Sequence, residues 1–278
     1  LWLGSSSVAP TEAVRAARRV CIRVHRRQVS ARARPPLQLG ASARHVQGLM
    51  RRLPVALLLH HAMLSAALQI PPIQPLTVKL KSGHELQVYE VQNADDALDV
   101  AIEDDSDPFG SFCWPASVAA ADALVEHAER RGGFLDGQRV LEIGAGPGLA
   151  SVTAATLKAD VTATDVSALS LRLLSAARDA AAETFDVQRL DILDAAAVRA
   201  AAARGYDVVV ASDTLYQTNI AVATASALAA LKPRLAIVCD PGRDGRVAFL
   251  EEARRLGFAE AADDFQPTRV ETGSLRLG

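Results

Sequence analysis

At 278 residues, half of them hydrophobic, the chain has room for one α/β domain of about 180–200 residues plus extensions. The formal net charge of −2 hides an asymmetry: residues 1–84 hold 13 Lys and Arg against one acid, Glu12, while residues 85–278 hold 17 against 31. So acidic a second part speaks against a nucleic-acid backbone as partner and suits a neutral or basic substrate. Three cysteines far apart (Cys21, Cys113, Cys239) suggest neither a disulfide framework nor a zinc site.

Residues 1 to about 52 are rich in Arg, Ala and Ser, the composition of an organelle transit peptide; a basic tail or upstream translated sequence is the plainer alternative. Val55 to Ile70 is an apolar stretch of 16, short for a bilayer span and interrupted by His60 and His61. With Met50-Arg51-Arg52 ahead of it, it also reads as a signal-peptide core behind a second start site. Pro71, Pro72 and Pro75 form a linker. The expected division is a leader over 1–75, a β-hairpin extension over 76–106 and the main domain over 107–278.

Leu76 to Lys81 and His84 to Val91 alternate with period two around Ser82-Gly83, which predicts a β-hairpin. The acidic run Asp95 to Asp107 reads as a solvated loop with a helical turn. Ser117 to Arg131 has helical periodicity and stops at Gly132-Gly133. An apolar strand ending at Glu142-Ile143 then meets Gly144-Ala145-Gly146-Pro147-Gly148, and a helix begins at Leu149. From there strands are expected at 161–165, 185–190, 207–212 and 235–239, separated by helices near 149–158, 167–183, 194–203, 218–231 and 245–256. Two weaker strand-like runs, 258–266 and 269–277, close the chain. Strands alternating with helices predict a doubly wound, mostly parallel sheet with helices on both faces. Ligands of such sheets lie outside the carboxyl ends of the strands, where Glu142, Asp165, Asp191, Ser212, Asp213 and Asp240 fall.

The glycine loop admits two readings. Gly144-x-Gly146 opens a dinucleotide fingerprint, although its sixth position is Leu149. Read as Glu142-x-Gly144-x-Gly146-x-Gly148, it resembles motif I of the class I, seven-strand S-adenosylmethionine-dependent methyltransferases. Trp114-Pro115 is similar to the Trp-Pro segment of the seven-strand lysine methyltransferases, and Asp213-Thr214-Leu215-Tyr216 to their Asp-x-x-Tyr motif, with Thr214 in an apolar place. Asp240-Pro241-Gly242-Arg243 resembles a segment of the enzymes that methylate lysine on the electron-transfer-flavoprotein β-subunit, and of bacterial relatives labelled nicotinamide N-methyltransferases. The likeness covers about 107–257.

The resemblance implies a Rossmann-like, seven-stranded methyltransferase sheet preceded by the hairpin. It also implies S-adenosylmethionine as cofactor, held by Trp114, Glu142, Gly144, Ala145, Gly146, Gly148, Asp165, Asp191, Ile192 and Ser212. Asp165, on the next strand end, takes the ribose hydroxyls, and Asp191-Ile192 the adenine edge. Asp213 and Tyr216 are the catalytic candidates, Asp240 and Arg243 the substrate-binding ones, and no metal is implied. Each has a plainer role beside it: Glu142 organising the loop, Asp165 capping a helix, Trp114 filling core, Asp191 and Asp240 turn acids, Tyr216 a packed ring. The acceptor is expected to be a lysine of a soluble protein, the enzyme a monomer without a membrane span, and the compartment a mitochondrion or plastid, or the cytoplasm if the leader is not genuine. Rival readings are a small-molecule N-methyltransferase, an NAD-dependent oxidoreductase (disfavoured because Tyr216 leads to Ile220 rather than to Lys) and a non-catalytic cofactor-binding module.

Overall fold

The computed structural model describes Val20–Arg26 and residues 71–104 and 108–260. The apolar stretch 55–70 and the strand-like run 269–277 lie outside the described residues. Strand β1 is Val20–Arg26, and β2 (Ile73–Lys79) and β3 (Glu85–Val91) form the hairpin. Helix α1 (Ala94–Asp104) follows, then a 3₁₀ turn at Pro108–Ser111 and helix α2 (Pro115–Glu129). Strand and helix then alternate: β4 (Arg139–Ile143), α3 (Leu149–Thr156), β5 (Asp160–Asp165), α4 (Ala168–Ala180), β6 (Asp186–Arg189) and α5 (Ala195–Ala202). The chain goes on through β7 (Val208–Ser212), α6 (Thr218–Leu231), β8 (Leu235–Asp240), α7 (Gly245–Arg255) and β9 (Phe258–Glu260).

The main sheet has seven strands in the order β6-β5-β4-β7-β8-β1-β9, and β2-β3 is a separate two-stranded sheet. Strands β4 to β8 are parallel, and β1 runs antiparallel to both β8 and β9. The order reverses between β4 and β7, so the switch point lies at their carboxyl ends, where a doubly wound sheet opens its ligand crevice.

Alternate residues of the central strands serve opposite faces, as period-two geometry requires. Val140, Val161, Ala163, Val208, Val210, Leu235 and Ile237 join one core with α2, α3, α4 and the hairpin. Leu141, Ile143, Val209, Ala211, Ala236 and Val238 join the other with α5, α6 and α7. Being covered on both faces, the strands read as unbroken apolar runs rather than as alternation.

Two expectations are corrected. The leader reading of 1–75 fails at Val20–Arg26, which fills the place between β8 and β9 with Ile22 opposite Val238. Its period-two Val20, Ile22 and Val24 are a strand pattern masked by arginine-rich surroundings. The acidic segment is an eleven-residue helix rather than a loop. Asn93 Oδ1 accepts from the Asp95 amide at its start, Asp95 and Asp96 sit favourably in the first turn, and Ala97 is buried against Val91 and Leu169. Among the described residues no helix is long and apolar enough to cross a membrane, and no group of His, Cys, Asp and Glu could hold a metal ion.

Candidate active site

The loop after β4 turns through three glycines with positive φ, Gly144 (61°), Gly146 (53°) and Gly148 (81°). Gly146 is barred from carrying a side chain for a second reason, crowding: a Cβ there would lie 2.9 Å from the Gly110 carbonyl oxygen, whereas one on Gly148 would lie 2.4 Å from Leu174 Cδ2, a side-chain end that would have to shift. The 3₁₀ turn at Pro108–Ser111 therefore lies directly over the loop, a contact the sequence does not announce. Buried Ala145 donates its amide to the Thr164 carbonyl, which ties the loop to β5.

Glu142 lies beneath this loop, fully buried, and its Oε2 accepts from both the amide (2.8 Å) and the hydroxyl (2.6 Å) of Ser151 in the first turn of α3. It thereby supplies the N-terminal acceptor that the N-cap residue Gly148, having no side chain, cannot give. Its Oε1 has no partner within the protein. Burial, with a smaller contribution from the Asp165 charge, pushes its pKa up to about 7 against the Ser151 hydrogen bonds. Of the two roles open to Glu142 in the sequence, the structure displays the loop-organising one.

Asp165 ends β5 and is 7% exposed. Its Oδ2 accepts from the Gly146 amide and its Oδ1 from the Ser167 amide, both at 2.9 Å. These bonds aim the side chain at the glycine loop. Helix α4 is capped separately by the Ser167 hydroxyl. Asp191 and Ile192 follow β6, half-buried; Asp191 Oδ1 accepts from the Leu193 amide in a turn, and Ile192 packs against the second core. Val166 and Leu193 beside them are exposed.

On the other side of the loop an open cleft of about 390 Å³ is lined by Trp114, Pro115, Ala116, Asp213, Pro241, Gly242 and Arg243. Three segments singled out in the sequence meet here, Asp213 lying 99 residues after Trp114 and 28 before Pro241. Trp114 is the N-cap residue of α2; its indole donates to the Phe109 carbonyl and its ring leans against that of Phe109, centroids 6.3 Å apart. Glu90 of the hairpin holds the preceding residue, accepting from the Cys113 amide at 2.6 Å, and burial raises the pKa of its carboxyl. Asp213 adopts a left-handed conformation (φ 57°), uncommon outside glycine and best tolerated by Asn and Asp. Its Oδ1 accepts from Arg243 Nε at 2.8 Å, with the acid side chain 9% and the arginine 41% exposed.

Asp240 is not part of the lining. It lies buried beneath the turn, where its Oδ1 accepts from the amides of Gly242 and Arg243 at 2.7 Å each, and burial raises its pKa despite those bonds. Its role here is to shape the turn that presents Arg243. Tyr216 is 43% exposed and also outside the lining, and the Ser212 hydroxyl pairs with that of Ser117 in α2 at 3.2 Å. Sequence reasoning missed Gly110, Ser151, Glu90 and Thr214. Thr214 had one signal, a polar residue in an apolar place.

A family model described as lysine methyltransferase matches residues 92–254, more than half of the chain. The chain belongs to the lysine methyltransferase family. The protein-lysine methyltransferase METTL21E of Mus musculus is 37% identical to it over 85 residues, which are 31% of this chain and 28% of that protein. The chain thus spans under a third of the length of that relative. Among solved structures, a T. Thermophilus 16S rRNA N2 methyltransferase in complex with AdoMet and guanosine overlays 66% of this chain and 47% of its own, with 19% identity and a TM-score of 0.47. Magnesium protoporphyrin IX methyltransferase of Synechocystis with bound SAM overlays 52% of this chain and 76% of its own, with 22% identity and a TM-score of 0.38.

The cofactor of this methyltransferase domain is S-adenosylmethionine, and the residues at the switch point fit it. The positive-φ glycines let the ligand approach the backbone, Asp165 stands aimed at the loop, and Thr214, whose methyl lies beside Gly144, has a buried Oγ1 without a protein partner.

Proposed function

We propose that the protein transfers the methyl group of S-adenosylmethionine to the side-chain nitrogen of a lysine on a soluble protein, presented in the Trp114–Asp213–Arg243 cleft. The observation that carries this reading is the adjacency of Asp213 and Thr214. One residue lines the cleft, and the next packs its methyl against Gly144 of the donor loop. Donor and acceptor sites so joined place an amine beside a sulfonium methyl, and positioning supplies most of the rate of an in-line displacement.

When bound, the donor supplies an electrophilic methyl on a positive sulfur, which favours a neutral amine over an ammonium beside it. Trp114 and Pro115 wall the lysine's aliphatic stem, and Asp213 accepts a hydrogen bond from the amine, fixing its lone pair. A bare carboxylate would raise the lysine pKa and hold it protonated. Arg243, bonded to the same Asp213, offsets that charge, so the acid orients without trapping the ammonium. Asp165 is proposed for the ribose hydroxyls and Asp191-Ile192 for the adenine edge. Glu142, Ser212 and Asp240 act through loop, helix and turn.

A protein acceptor is supported by the family, by the likeness to METTL21E and by the acidity of residues 85–278, which steers a basic surface toward the cleft and makes turnover fall with salt. A mitochondrial or plastid partner is proposed on the arginine-rich composition of the residues around β1 alone, β1 itself being part of the sheet. Incubation with tritiated donor and an organelle lysate, with free nicotinamide in parallel, tests it: label in lysine of a protein band is expected. Label in nicotinamide alone would assign the cleft to small amines.

A further inference from the structure

We propose that Thr214 is a cofactor-binding residue whose hydroxyl bonds the amino-acid end of the donor's methionine moiety. Thr214 is 6% exposed, and its Oγ1 has no hydrogen-bond partner within the protein. A hydroxyl buried without a partner is destabilising, and valine has the same shape without that cost. A hydroxyl buried in this place of the Asp-x-x-Tyr segment points to a partner that arrives from outside.

Where that partner lies follows from the packing. Thr214 Cγ2 is 3.0 Å from the position a Cβ on Gly144 would take, so its methyl sits beside the glycine loop, and Thr214 is not among the residues that line the acceptor cleft. The other buried polar atoms without partners include Glu142 Oε1, closed in beneath the loop, and Asp240 Oδ2, beneath the turn after β8. Of the three, Thr214 alone belongs to a side chain that a Cβ on a loop glycine would meet, through its methyl.

The sheet order decides which part of the ligand it meets. Asp165 ends β5 on one side of β4, and Thr214 follows β7 on the other. With the ribose on Asp165, the polar groups that reach past the loop to β7 are the ammonium and carboxylate of the methionine portion. A hydroxyl is donor and acceptor at once and serves either. The proposal rests on the donor site alone and not on the identity of the acceptor, so a failed lysine assay leaves it standing.

The test uses the full chain, Thr214→Val and Thr214→Ser, with calorimetric titration of S-adenosylhomocysteine and of 5′-methylthioadenosine, which lacks the amino-acid end. Thr214→Val is expected to melt no lower than wild type without ligand, to bind S-adenosylhomocysteine about tenfold more weakly, and to bind methylthioadenosine unchanged. Thr214→Ser is expected to keep wild-type affinity for both. Unchanged S-adenosylhomocysteine affinity in Thr214→Val would overturn the assignment, as would equal losses for the two nucleosides. A lowered melting temperature of the ligand-free valine variant would also overturn it, since it would make the hydroxyl a structural group.

Discussion

Glu142→Gln offers a test of the loop architecture that needs no ligand. The carboxyl of Glu142 is fully buried with a pKa of about 7 in the fold, against an ordinary value of 4.5. A carboxyl raised on folding binds its proton more tightly in the native state. Its stabilising contribution is therefore complete below about pH 4.5, is lost as pH rises, and is gone above about 7. One pKa unit corresponds to about 1.4 kcal/mol, so the side chain costs wild type about 2–3 kcal/mol between pH 5 and 8. Glutamine keeps an acceptor for Ser151 but does not titrate, and whatever its amide group costs is the same at every pH. Urea unfolding of both proteins at pH 5, 6, 7 and 8 should show Glu142→Gln gaining on wild type by that amount across the range. Parallel pH profiles would refute a buried, titrating Glu142 and the helix-capping role drawn from it.

Gly146→Ala should lower both melting temperature and S-adenosylhomocysteine affinity, because it adds a clash with the Gly110 carbonyl to the left-handed strain of about 1–2 kcal/mol. Gly137→Ala, also at positive φ but with nothing within 4 Å, is the control and should show the strain alone in thermal melts. A chain starting at Pro71 lacks β1 and leaves β8 and β9 unpaired with it; a melting temperature at least about 5 °C lower is expected, and an unchanged one would place Val20–Arg26 outside the stable sheet. Arg243→Ala breaks a pair exposed on its arginine side, worth at most about 1 kcal/mol, so unfolding should change little while the KM for a protein acceptor rises more than that for the donor.

The sheet from β4 to β8 is legible in the sequence because buried parallel strands are apolar runs and the helices between them are periodic. The glycine loop is legible because turn chemistry is local. What is hidden depends on residues distant in the chain. Glu142 and Ser151 are nine residues apart and read as separate features until β4 and α3 are packed. Asp213 and Arg243 are matched only by the ends of β7 and β8 lying side by side. Gly110 against Gly146 is a backbone contact that no side chain records. The acids of Asp95 to Asp107 suggest loop by polarity, whereas a single buried Ala97 and an Asn93 cap are enough to seat α1. In β1 the strand pattern is present but diluted by arginines.

The central claim is that Asp213 serves the acceptor, not the donor or the fold. Asn is as well suited to the left-handed backbone at this position and keeps the side chain's shape while removing its charge. The decisive measurement pairs, for Asp213→Asn, the calorimetric affinity for S-adenosylhomocysteine with the single-turnover rate of methyl transfer to a lysine-bearing acceptor. Affinity within about twofold of wild type and a rate at least about tenfold lower are predicted, a loss confined to the chemical step. A wild-type rate, or a rate that falls only in proportion to lost donor binding, would contradict the assignment.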